Sequence, residues 1–215
     1  MRNEELIKTT SKYLMPIPHS SFLIPHALKN IDRQLLLAIN HAHSTLLDAV
    51  MIFASNRLVW FPVYTILIGW LIYHFRWRAA LLLPLVIAAV GLADSITSRL
   101  FKPFFERPRP CHDATLEHLL RLPDGCGGQF GFLSSHAANS MALAIFLALV
   151  LPTGRFRGLK IGVFAWFVLL SYSRVYLGAH YPTDVLGGAV VGGLMGWLAA
   201  VAYQHWALRW WPAQA

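Results

Sequence analysis

The chain has 215 residues, of which 56% are hydrophobic and only 13% charged, whereas a soluble globular domain carries about 25% charged residues. Its mean hydropathy of +0.51 excludes a disordered chain, a coiled coil and almost any water-soluble fold. A formal charge of +8 would suit nucleic acid in a soluble protein; in so apolar a chain it points to topology-setting loops or to a site for an anion, and no nucleic-acid partner is expected. The 2 cysteines are too few for a disulfide-rich scaffold or a cysteine-built zinc cage. The N-terminal stretch mixes acids and bases without an apolar core of its own, unlike a cleaved secretory signal. The expected fold is an all-α, polytopic membrane helical bundle among membrane lipids.

Residues 1–34, with Lys8, Lys12, Lys29 and Arg33, read as an interfacial or cytosolic segment, and residues 35–215 as the membrane-embedded domain. A crossing helix needs about 20 mostly apolar residues, because backbone amides in lipid must be satisfied within the helix. Stretch 35–54 approaches this, but Asn40, His41, His43 and Asp48 interrupt it. It reads as a weak sixth span, with a re-entrant piece or an interfacial helix as alternatives. Five strong spans follow at 58–75, 79–101, 134–151, 158–176 and 184–208. Arg76 and Arg78, then Arg155, Arg157 and Lys160, then Arg209 fall on one face almost free of acids, which the positive-inside rule makes cytoplasmic. The long loop 102–133 then lies on the extracytoplasmic side of a cell (inner) membrane. Trp60, Trp70, Trp77, Trp206, Trp210 and Trp211 fall mostly near span ends, as interfacial belts do. In the last span Gly187, Gly188, Gly192, Gly193 and Gly196 suggest close helix packing, with a homodimer face as the alternative.

Polar residues near lipid are costly and need a reason. Three clusters stand out, all on the extracytoplasmic face. They are Lys102 to Pro110 (KPFFERPRP), Ser134-Ser135-His136 at the start of the third span, and Ser173-Arg174 followed by His180 and Asp184. Ser134 and Ser135 suit a helix N-cap, and a helix N-terminus with free amides cradles an anion. Lys102, Arg109 and Arg174 would surround that anion, and an arginine grips two phosphate oxygens at once. Asp184, in the first turn after Pro182, reaches back to one ring nitrogen of His180, fixing its tautomer and leaving the other nitrogen to attack. His136 is then available as general acid. Two histidines, one carboxylate and three fixed cations make a phosphoryl-transfer site that needs no metal and no cofactor. Singly each residue has a plainer reading as anchor, cap or packing group, and Arg107 reads as an interfacial anchor. Jointly the plainer readings leave their shared face unexplained.

These residues resemble the type 2 phosphatidic acid phosphatase superfamily. Lys102, six residues, then Arg109-Pro110 matches its first signature. Ser173-Arg174, five residues, His180, three residues, then Asp184 matches the third. The middle signature, usually Pro-Ser-Gly-His, reads Leu133-Ser134-Ser135-His136 here, without the proline and with serine for glycine. The resemblance implies that His180 attacks phosphorus and forms a phosphohistidine, held by Asp184. His136 would protonate the leaving group and then activate water. Lys102, Arg109, Arg174 and Ser134 would bind the phosphate, with Ser135 beside them. Members of this kind remove phosphate from lipid phosphates or diphosphates, and the compact chain favours a polyprenyl (undecaprenyl) diphosphate. Phosphatidylglycerophosphate, phosphatidic acid and lipid A are alternatives; a transporter or anion-binding protein is the alternative from another class.

Cys111 and Cys126 both lie in the long loop, where an oxidising compartment would let them pair. His112 and His118 lie nearby, but without a dense cluster of acids or thiols no metal is expected. Asp94, inside a span about two turns before Lys102, reads as a partner of Arg99 or as a residue that positions Lys102.

Overall fold

The computed structural model describes residues 26–152 and 154–210; residues 1–25, most of the N-terminal segment set apart above, lie outside them. Regular structure among the described residues is helical, apart from one isolated antiparallel bridge between Pro108 and Phe130. The elements are α1 (His26–His41), α2 (Thr45–Ser55), α3 (Phe61–Phe75), α4 (Ala79–Ser95), α5 (Ser135–Val150), α6 (Arg157–Tyr176) and α7 (Pro182–Trp210). α4 runs on through a π-helical stretch, Ile96–Phe101, into a short helix, Lys102–Phe105.

By length and composition, three helical stretches among the described residues suffice to cross a membrane: Arg57–Phe105, Arg157–Tyr176 and Pro182–Trp210. The first is 49 residues long and folds back on itself at Arg76, where φ is 50°. Tyr64 near the start of α3 therefore shares a cavity wall with Val90 near the end of α4. α5 is a shorter apolar helix whose Ala137, Ala138, Ala142, Phe146 and Leu147 are fully buried. It is the central helix, packed against α4, α6 and α7. Exposed Ile66, Ile87, Val190, Leu194 and Leu198 form the apolar exterior that a bilayer covers.

The weak span at 35–54 is not one straight helix. α1 and α2 meet at a bend of 117°, because Ser44 caps α2 by accepting from Leu47 N at 3.2 Å. The polar residues that interrupt the stretch are in use. Asn40 donates to the carbonyls of Arg121 at 2.8 Å and Tyr176 at 2.7 Å. Asp48 accepts from Tyr176 Oη at 2.8 Å and pairs with Arg121. α1 also runs through the expected boundary at residue 34, with Asp32 buried in the fold.

α5 and α7 touch backbone to backbone. A methyl group at Gly188, Gly192 or Gly196 would collide with the carbonyl oxygens of Ser134, Ala138 and Ala142 in turn. Small residues at four-residue spacing on both helices permit this approach. The contact occupies these three glycines within the chain, as close helix packing requires.

The long loop is pinned at several points. Arg109 N donates to Gln129 O and Gly131 N to Arg107 O, both at 2.9 Å. Cys111 and Cys126 form a disulfide with Cα atoms 5.9 Å apart. Closing a loop of this size stabilises by about 3 kcal/mol in the chain-entropy model.

Two predictions follow from this packing. Gly192→Val should destabilise by at least ~3 kcal/mol, the upper end of overpacking costs, seen as loss of monodisperse protein in detergent. Gly193→Ala, where nothing approaches the added methyl closer than 3.8 Å, should leave the melting temperature unchanged. Unreduced protein unfolded in denaturant should take up no thiol-alkylating reagent, and reduced protein should take up label at both Cys111 and Cys126.

Candidate active site

Four helix ends meet at one end of the bundle: the extension of α4 with Lys102, the start of α5 with Ser135 and His136, the last turn of α6 with Arg174, and the first turn of α7 with Asp184. Between them lies a cavity of about 550 Å³ whose wall includes Lys102, Arg109, Ser135, His136 and His180. Residues from distant parts of the chain thus reach one space, as their spacing predicts. Asp184, Arg174 and Ser134 stand behind this wall, each nearly or wholly buried.

His180 is 1% exposed. The chain turns towards it because the amides of Ala179 and His180 both donate to Arg174 O, at 3.0 and 3.2 Å. Burial, followed by the nearby cations Arg174, Arg109 and Lys102, holds its imidazole well below the usual pKa. The ring is therefore neutral at physiological pH, as a nucleophile requires. Asp184 lies on the Nδ1 side, with Oδ2 3.7 Å away, so Nε2 is the ring nitrogen turned away from that carboxylate.

The expected hydrogen bond from Asp184 to His180 is not formed. The carboxylate is engaged elsewhere, accepting from Arg107 Nη1 at 2.6 Å through Oδ1 and from Tyr181 N at 3.0 Å through Oδ2. The second contact is the reach of an acidic third residue of a helix back to its N-cap amide. His180 Nδ1 is left without a hydrogen-bond partner.

Lys102 Nζ donates to Ser135 Oγ at 3.3 Å, and Thr97 Oγ1 shares a 2.9 Å hydrogen bond with the same oxygen. The serine standing where the family pattern has glycine is thus a bracket for the lysine. Arg109 Nε donates to Phe130 O at 3.3 Å. Burial lowers the Arg109 pKa from its usual value; the side chain remains a cation. Gly131 lets the loop pass close by, since a Cβ there would stand 3.1 Å from Arg109 Cγ and 3.2 Å from Asp184 Oδ2. Arg174 donates to Ser55 of α2, while its Nε has no partner.

Ser134 departs from expectation. It occupies the N-cap position of α5 without a side-chain cap. It is 0% exposed, its amide donates to Asp184 O at 2.9 Å, and its Oγ is unpaired. Its backbone amide is therefore not free for an anion, and Ser135 rather than Ser134 faces the cavity.

Arg107 is no interfacial anchor. It is 8% exposed and sits between two carboxylates, with Nη2 2.7 Å from Asp32 Oδ2 and Nη1 2.6 Å from Asp184 Oδ1. Its guanidinium lies 4.0 Å from the centroid of the Tyr181 ring. Thr183 joins the cluster by donating its amide to Asp32 Oδ1 at 2.9 Å. Sequence reasoning had the signal for Arg107, a third base within KPFFERPRP, but none for Asp32. It also missed Arg57 and Asn139, which line the cavity. Asp94 lines it too, and the hydrogen-bond partner of its carboxylate is Asn139, whose Nδ2 donates to it at 3.0 Å. Cys111, His112 and Cys126 bring donor atoms close together, but the two sulfurs are bonded to each other and do not fit a metal site.

The chain resembles known proteins across this architecture. It is 39% identical over 174 residues to the lipid A 4'-phosphatase of Bacteroides thetaiotaomicron, covering 80% of this chain and 76% of that one. It is 28% identical over 158 residues to the undecaprenyl-diphosphatase BcrC of Bacillus subtilis, covering 73% and 75%. The crystal structure of a transmembrane PAP2-type phosphatidylglycerolphosphate phosphatase from Bacillus subtilis superposes with a TM-score of 0.66 at 26% identity, over 86% of this chain and 90% of that one. A sequence model of the PAP2 superfamily matches residues 79–208, the span that holds every residue of the catalytic cavity wall except those of α3 and its approach. The chain is a membrane protein and a phosphoric ester hydrolase belonging to the PAP2 superfamily of lipid phosphatases.

Proposed function

We propose that the protein hydrolyses the phosphate of a lipid through a phosphohistidine on His180, with an acylated sugar phosphate of the lipid A type as substrate. The observation that carries this reading is the shared cavity. His180 and His136 line it together with Lys102 and Arg109, and Arg174 lies directly behind. His180 Nε2 attacks phosphorus, and the bond from phosphorus to the lipid oxygen breaks. Protonated His136 gives its proton to that oxygen. Neutral His136 then takes a proton from water, whose oxygen attacks the phosphohistidine and releases inorganic phosphate. Lys102, Arg109 and Arg174 neutralise the charge that gathers on the phosphoryl oxygens, so the step requires no metal. Asp184 stabilises the His180 cation formed on attack.

The 39% identity to a lipid A 4'-phosphatase over most of both chains supports lipid A over the polyprenyl diphosphate that the family resemblance of a compact chain favours. The resemblance to an undecaprenyl-diphosphatase supports polyprenyl diphosphate as the second reading. We further propose five crossings, with α3 and α4 counted separately on the strength of the reversal at Arg76. The site then faces the extracytoplasmic side, a reading supported by the basic turns at the opposite end of the bundle.

Purified protein in detergent should release phosphate from lipid A, and His180→Ala should lose at least ~10³-fold of that activity, in line with losing a nucleophile. Retained activity in that variant would remove His180 from its role. Chelators should leave the rate unchanged. Arg107→Ala should lower both activity and stability, since breaking one side of a buried ion cluster costs about 3–5 kcal/mol. The ring resonances of His180 in the free enzyme should show no protonation between pH 8 and pH 6, because the depressed pKa puts the transition below that window.

A further inference from the structure

The cavity extends well beyond the phosphate-binding cations. Asp94 lies eight residues before Lys102 on the same helical run, π-helical over Ile96–Phe101, which sets it on the order of 10 Å deeper into the bundle. Both residues line the same space. A carboxylate at that depth is costly unless something donates to it. Within the protein one donor does, Asn139 Nδ2 at 3.0 Å to Oδ1. No ion pair to Asp94 occurs among the described residues. That bond fixes the Asn139 amide with its oxygen as the remaining group, and Asn139 Oδ1 is buried without a partner. The nearby hydroxyls are committed: Ser98 donates to the Asp94 carbonyl at 2.6 Å and Ser140 to the His136 carbonyl at 2.7 Å. Asp94 and Asn139 Oδ1 therefore remain short of donors in this part of the cavity. Tyr64 and Trp166, in edge-to-face contact at 5.9 Å, form the aromatic wall beside them, with the Trp166 Nε1 donor also unpaired.

We infer that Asp94 and Asn139 form a hydrogen-bonding subsite for donor groups of the substrate, hydroxyl or amide N–H, carried on the order of 10 Å from its phosphate. Phosphorylated amino sugars with amide-linked hydroxyacyl chains carry such donors next to the phosphate. A polyprenyl chain carries none, and laying it against Asp94 would leave the carboxylate desolvated and short of partners. The subsite thus makes Asp94 a specificity-determining residue that favours the acylated sugar phosphate over the polyprenyl diphosphate. This inference rests on the lipid A reading above and deepens it.

The test compares kcat/KM on lipid A and on undecaprenyl diphosphate for the full-length wild type, Asp94→Asn and Asp94→Leu. The ratio of lipid A to polyprenyl activity should fall at least ~10-fold in Asp94→Leu, as expected when a buried hydrogen bond to a charged group is lost. In Asp94→Asn, which keeps one acceptor, the ratio should fall less. Inorganic phosphate, which reaches only the cation cluster, should inhibit all three proteins with the same constant. An unchanged ratio in Asp94→Leu, including a uniform loss on both substrates, would overturn the subsite while leaving the lipid A reading intact. A wild type that hydrolyses undecaprenyl diphosphate but not lipid A would overturn both.

Discussion

A buried guanidinium between two buried carboxylates organises this molecule. Arg107 joins Asp32 of α1 to Asp184 of α7, so the loop after α4, the helix before the first strong span and the last helix meet at one charge. Removing three ions from water is expensive, and such a cluster persists only when each member is paired and hydrogen-bonded. Here the pairing is complete: Asp32 also takes the Thr183 amide and Asp184 the Tyr181 amide. The result is that Asp184 has a fixed position beside His180, and the loop carrying Arg109 has a fixed root. The geometry around His180 is therefore set from behind the cavity wall, by residues that do not line it.

A second constraint acts along the bundle. Backbone contact between α5 and α7 through Gly188, Gly192 and Gly196 sets how far His136, on one helix, stands from Asp184, on the other. The hydrogen bond from Ser134 N to Asp184 O closes the same contact at the site end. Packing and chemistry are thus continuous: helices that approach this closely cannot slide without moving both histidines. The disulfide between Cys111 and Cys126 and the reciprocal bonds between Asn40 and the Arg121 backbone, Nδ2 donating to Arg121 O and Arg121 N to Oδ1, hold the remaining side of the loop.

Much of this was legible in the sequence, for identifiable reasons. Charged and polar residues at the ends of long apolar runs are conspicuous, and the alternation of runs assigns them to one face; Lys102, Arg109, His136, Arg174 and His180 follow from that. The glycine spacing in α7 likewise announces close packing. What stayed hidden depends on partners far away in the chain. Nothing local distinguishes Arg107 the buried bridge from Arg107 the interfacial anchor, because the difference is Asp32, 75 residues earlier. The break between α1 and α2 was signalled by Asn40, His41, His43 and Asp48, but its 117° angle was not, because the partners of Asn40 and Asp48 lie far along the chain. The engagement of Asp184 with Arg107 rather than His180 follows from competition among donors, which spacing alone does not rank.

The account turns on His180 carrying phosphorus. Rapid acid-free quenching of the protein during turnover of ³²P-labelled lipid phosphate, followed by digestion and sequencing, tests this directly. The account predicts a labelled peptide containing His180, stable to base, labile to acid and absent from a His180→Ala protein. Label on another residue, or turnover without any covalent phosphate under conditions that trap a known phosphohistidine, would contradict it.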